Sequence, residues 1–207
     1  MKKLILIATI AVFCLGVFAG CSSAPSPTEV TDSFLNAVKS QDSETIQSNY
    51  AEGSFDFGQV ATSEASEEGT QLSEEATNTL TSKLLEFDYE LSNEKIDGDT
   101  ATVDVAITTY PFGDAFSSFV SDYLSQGFAA ALNGATEEEM SELGSTILTQ
   151  KLNGMEKSYT GTATVSLTKV DGEWKVDAIA DDSDFVNVLT GGLLDTANTI
   201  NEVYGNM

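Results

Sequence analysis

The chain has 207 residues, with 33 acids against 9 cations, all lysine, no histidine and a formal charge of −24. Such a surface repels nucleic acid and anionic headgroups, and the missing imidazole removes Ser-His triads, histidine metal sites and the commonest general base. No phosphate-loop, dinucleotide-binding or nucleophile-elbow glycine motif occurs.

Lys2 and Lys3 precede an apolar run from Leu4 to Phe18 and the small pair Ala19 and Gly20, which is the order of a secretory signal. The run is too short to span a bilayer comfortably. Phe18-Ala19-Gly20-Cys21 resembles a bacterial lipobox, with Phe18 where leucine is usual. The resemblance implies cleavage between Gly20 and Cys21 and acylation of Cys21, palmitate included, as the first residue of the mature chain; an ordinary cleaved secretory signal is the alternative. Two or more acyl chains suffice for stable anchoring. The expected parts are a signal at 1–20, a tether at 21–27 and one α+β domain at 28–207, held at the extracytoplasmic face of the cell membrane. Ser22 to Ser26 reach on the order of 20 Å when extended. Loss of Lys2 and Lys3 with no acid takes the charge from −24 to −26. Cys14 leaves with the signal, so no thiol remains for a disulfide, a nucleophile or a metal.

Ser26-Pro27-Thr28-Glu29 is a capping box with proline at the first helical position, and Val30, Phe34, Ala37 and Val38 follow at helical spacing to about Lys39. Asp42 caps a shorter helix carrying Ile46 and Tyr50. Residues 51–73 read as an acidic loop, and Ser73 opens a third helix with Leu80, Leu84 and Leu85 on its apolar side. The period then becomes two: Phe87, Tyr89 and Leu91, then Ala101, Val103, Val105 and Ile107, with Asp97-Gly98 as the hairpin turn between them. Ala163, Val165 and Leu167 before Asp171-Gly172, with Trp174, Val176 and Ala178 after it, repeat the device.

Between the hairpins lies a helical insert at about 112–153. Phe116, Phe119, Val120 and Tyr123 give one amphipathic stretch, and Thr136 to Glu139 cap another carrying Met140, Leu143, Ile147 and Leu152. One closing helix is expected after Ser183, through Phe185, Leu189, Leu193, Ala197, Ile200 and Tyr204, weakened at Gly191 and Gly192. The fold class is α+β: an antiparallel sheet of two or more hairpins, curled into a cone-like roll against N-terminal helices, with a helical insert and a C-terminal helix. On "PTEVTDSFLNAVKSQDSETI" and "VSLTKVDGEWKVDAI" the chain resembles small lipoproteins of Gram-positive bacteria, with a domain similar to the cystatin-like cone of nuclear transport factor and ketosteroid isomerase. The likeness covers roughly residues 28–180; the insert and the closing helix depart from it.

The Ser92/Lys95 and Ser166/Lys169 spacings fall in predicted strands, where residues three apart face opposite sides, so neither is read as a serine–lysine site. Asp97-Gly98-Asp99 and Asp181-Asp182-Ser183-Asp184 are read as a turn and a cap rather than calcium loops. The acids Glu67, Glu68, Glu74, Glu75 and Glu137 to Glu139 read as solvated faces and helix starts. Helical spacing assigns Phe112, Phe116, Phe119, Tyr123 and Phe128 to core packing. The expected function is a non-catalytic module binding a small apolar ligand or a surface protein, with membrane lipid as partner through Cys21, no nucleic acid, and no cofactor or metal. One alternative is an isomerase or hydrolase using a carboxylate with Tyr50, Tyr89, Tyr110 or Tyr159 in the cone; another is a weakly calcium-binding surface protein.

Overall fold

Ser26 stops the tether and starts a helix: its hydroxyl accepts from the Glu29 N–H, and the Glu29 carboxylate accepts from the Ser26 N–H at 2.8 Å. This reciprocal box opens α1 (Pro27–Ser40), which closes at Gln41 in the left-handed region. Asp42 then caps α2 (Ser43–Asn49) by accepting from the Thr45 N–H. The computed structural model describes residues 24–53, 55 and 73–204. Gly20, Cys21, Cys14 and most of the acidic stretch read as a loop, with Glu67 and Glu68, lie outside those residues. Ser73 caps α3 (Glu74–Leu85), as its position ahead of two acids predicts.

Four antiparallel strands follow: β1 (Asp88–Asp97), β2 (Thr100–Thr109), β3 (Tyr159–Val170) and β4 (Glu173–Val176), in spatial order β1-β2-β3-β4. Asp97 to Thr100 and Val170 to Glu173 form the two hairpin turns, and β2 joins them by pairing along its whole length with β3. Alternation decides which face is covered. Ala101, Val103, Val105 and Ile107 of β2 are buried with Ala163, Val165 and Leu167 of β3 and Trp174 and Val176 of β4. The opposite face carries mainly threonine and serine and meets solvent.

α1 covers the apolar face with Phe34, Leu35 and Val38, all at 1 % exposure or less. Burying a side chain of this size contributes about 1.5–3 kcal/mol. The strand predicted to reach Ala178 ends at Val176, because the chain turns off the sheet: the Ala51 N–H donates to the Val176 carbonyl, and the Ile179 N–H donates to the Tyr50 hydroxyl. Ala178 is exposed.

Two further expectations are corrected. The insert forms α4 (Phe112–Leu132) and α5 (Glu137–Asn153), but of its aromatic run only Phe112 is core. Phe116, Phe119 and Tyr123 are half-buried and stack on one another at 6.2 and 5.8 Å, and Phe128 is 69 % exposed. The reason is that α4 packs chiefly on α5 and on the C-terminal helix rather than on the sheet. The closing helix, expected as one, is two: α6 (Asp184–Leu189) and α7 (Leu193–Tyr204). Gly191 and Gly192 break it at φ +58° and +79°, and the Gly191 carbonyl accepts from the Gly113 N–H at the start of α4.

Candidate functional site

A cone-type site would lie on the concave, apolar face of the sheet, and that face is packed with the chain's own side chains. Phe34, Val103, Val105, Ile107, Leu167 and Val176 have no measurable exposure. Over them lies an aromatic cluster in which Phe34 stacks on Tyr50 at 5.9 Å and meets Phe55 edge-on at 5.4 Å, while Phe55 reaches Phe185 of α6 at 6.4 Å.

The carboxylate–tyrosine pairs needed for isomerase chemistry exist, but on the flanks. The Tyr89 hydroxyl donates to Asp32 at 2.8 Å, and the Tyr110 hydroxyl donates to Glu86 at 2.8 Å with the Lys83 ammonium 4.1 Å above its ring. Burial and the Asp32 acceptor push the Tyr89 hydroxyl up, and the Glu86 hydrogen bond followed by burial does the same for Tyr110. Both phenols therefore stay protonated at neutral pH and act as donors. Tyr50 is raised chiefly by burial and accepts from the Ile179 N–H, while Tyr159 is raised by burial and by Asp195. The two pairs join residues 57 and 24 positions apart, so neither could be read from local spacing.

The Ser166/Lys169 pair splits as expected: Ser166 is on the solvent face, whereas Lys169 lies opposite Trp174 with its ammonium 4.6 Å above the indole. Ser92 and Lys95 depart from the two-residue rule. A bulge at Asn93, φ +53°, pairs Ser92 with Asp104 and Lys95 with Thr102, which puts both on the solvent face. They remain exposed there, and Asp104 instead accepts from Asn93 at 3.0 Å and Thr164 at 2.8 Å, which holds its carboxyl below the usual range. Asp97 to Asp99 form the β1–β2 turn, and Ser183 caps α6. Glu139 completes the α5 capping box with Thr136. Among the described residues no group of three or more acids is arranged to hold a metal ion.

Two open grooves flank α4. One, of about 340 Å³, lies between Asp114 and Ser118 of α4 and Gln150 and Lys151 of α5. The other, of about 560 Å³, is lined by Val120, Leu124 and Phe128 of α4 and Ile200 of α7, with serines between them. Leu124, Phe128 and Leu132, spaced by four along α4, are 51, 69 and 74 % exposed. That second apolar stripe was available in the sequence as an i, i+4, i+8 series, beside the stripe that the stacked aromatics follow.

No family model matches the sequence, and no curated protein matches it. Among solved structures the chain is similar to a "putative lipoprotein (ycdA)" of Bacillus subtilis, at 13 % identity and a TM-score of 0.42. The match covers 79 % of this chain and 47 % of that one, so the chain spans about half the length of that protein.

Proposed function

We infer that the protein is a lipoprotein anchored through Cys21 at the extracytoplasmic face of a cell membrane, where its folded part binds another protein and performs no chemistry. The basic, apolar and small-residue order ahead of Cys21 supports the anchor. No described helix is long and apolar enough to cross a membrane. We read the α1–α2 pair followed by antiparallel hairpins as a variant of the cone fold that the sequence resembles.

The observation carrying the binding-module reading is a contrast between two apolar surfaces. The concave face is covered by the chain's own Phe34, Leu35 and Val38, whereas Leu124, Phe128 and Leu132 are left on the outside of α4. An exposed apolar run of that kind marks an interaction surface more often than a surface accident. The anchor is tested by Cys21→Ala. The parent is expected to sediment with membranes and the variant to be released; a variant that sediments like the parent overturns the lipoprotein reading.

A further inference from the structure

We propose that the groove between α4 and α7 binds an amphipathic helix of another protein, apolar on one side and basic on the other. The proposal rests on the reading of the chain as a protein-binding module and names the surface and the kind of partner.

The groove has the form that a helix requires. Its lining runs from Ser117 to Phe128, twelve residues of one helix spanning about 16 Å. That length accommodates three turns of a guest helix, whose anchors at i, i+3, i+4 and i+7 would meet Leu124, Phe128 and Ile200. Serines between the apolar residues keep the floor low, so a guest side chain can enter between neighbouring ridges.

Charge selects the occupant. Neither α4 nor α7 has a lysine, and α7 carries Asp195 and Glu202; of the two acids on α4, Asp114 lines the other groove and Asp122 pairs with Lys151. The connection after Leu132 leads directly into exposed Glu137, Glu138 and Glu142 at the start of α5. A guest with lysine or arginine along its outer edge is attracted to this surround and steered toward it. A second copy would bring the same acids against themselves. A lipid surface fits no better, since anionic headgroups meet the same acids.

The test uses the full chain and a synthetic 18-residue peptide with leucine at i, i+3, i+4 and i+7 and lysine elsewhere. A scrambled peptide of the same composition and a leucine–glutamate peptide serve as comparisons. The leucine–lysine peptide should bind at physiological salt, and each comparison peptide at least tenfold more weakly. Leu124→Asp and Phe128→Asp should each weaken binding tenfold or more. Both positions are exposed, so unchanged melting curves would show that the fold is retained. The variants add negative charge, so attraction by charge alone would tighten binding; equal or tighter binding overturns the proposal. Equal binding of the scrambled peptide overturns it too. Sedimentation showing a dimer that Phe128→Asp splits would assign the face to a second copy and overturn the heterologous partner. None of these outcomes depends on whether Cys21 is acylated, so failure here and failure of the anchor remain distinguishable.

Discussion

Thr109 ends β2 with no exposure, and its hydroxyl finds no hydrogen-bond partner among the described residues. An unpaired buried hydroxyl costs about 1–3 kcal/mol of desolvation. Thr109→Val keeps the branched shape and removes the polar atom, so it should stabilise the fold by about 1 kcal/mol, a rise of roughly 2–5 °C in Tm. A fall in Tm on thermal melting would mean that the hydroxyl is satisfied after all. The neighbouring Tyr110 shows the opposite arrangement. Its hydroxyl reaches Glu86 and its ring carries Lys83, so a buried aromatic has its polar end satisfied by a charged partner.

The elements meet where glycine allows close approach. A Cβ on Gly191 would lie 1.9 Å from the Tyr110 carbonyl oxygen, and one on Gly113 would lie 2.5 Å from the Gly192 carbonyl oxygen. This junction ties the break between α6 and α7 to the start of α4. Gly191→Ala adds a clash with backbone to the strain of φ +58°, and should cost roughly 3 kcal/mol or more. Gly172→Ala, at φ +88° but with nothing within 4 Å, should cost only about 1–2 kcal/mol. Urea unfolding compares the two directly, and equal losses would show that the close approach is not what holds the junction. The same break explains why one expected helix became two. The glycine pair was visible in the sequence, but its meeting with Tyr110 came from an element about eighty positions earlier.

For the whole molecule the excess of acid sets the response to salt and pH. With 33 acids against 9 lysines, repulsion among surface charges opposes compaction, and screening relieves it. Raising sodium chloride from 10 to 200 mM at pH 7 should therefore raise Tm; a fall would mean that the Lys151–Asp122 and Lys157–Asp88 pairs outweigh the net repulsion. Acid acts through particular groups. Side-chain and backbone hydrogen bonds from Thr45 hold Asp42 below the usual carboxylate range, Lys157 does so for Asp88, Asn93 and Thr164 for Asp104, and Thr136 for Glu139. A carboxyl depressed in the folded chain favours folding above its unfolded value, near 4, and ceases to do so as the pH drops through its folded value. The urea midpoint should change little from pH 7 to 5 and fall steeply below about pH 4. A steep fall already between pH 7 and 5 would point to groups with raised values instead.

The sequence by itself determined the α+β class, the capped starts of α1, α2, α3 and α5, both hairpins and the buried set on β2 and β3. Capping boxes, Asp-Gly turns and two-residue alternation are local, so the residues that encode them lie within a few positions of one another. The lipobox-like segment belongs with these local signals as an inference from its own residues. Only the tertiary structure decided which of two apolar stripes on α4 is sheltered, because amphipathic spacing says that a face is apolar and not what will cover it. The insert leaves the sheet and packs on α5 and α7, so Phe112 enters the core and Phe128 stays outside. Long-range geometry likewise joined Asp32 to Tyr89 at the β1 edge of the covered face and Glu86 to Tyr110 just past the end of β2, and laid Phe34 over that face. Those contacts depend on how helices dock across the sheet, a choice made by packing over the whole molecule and not by any short stretch of chain.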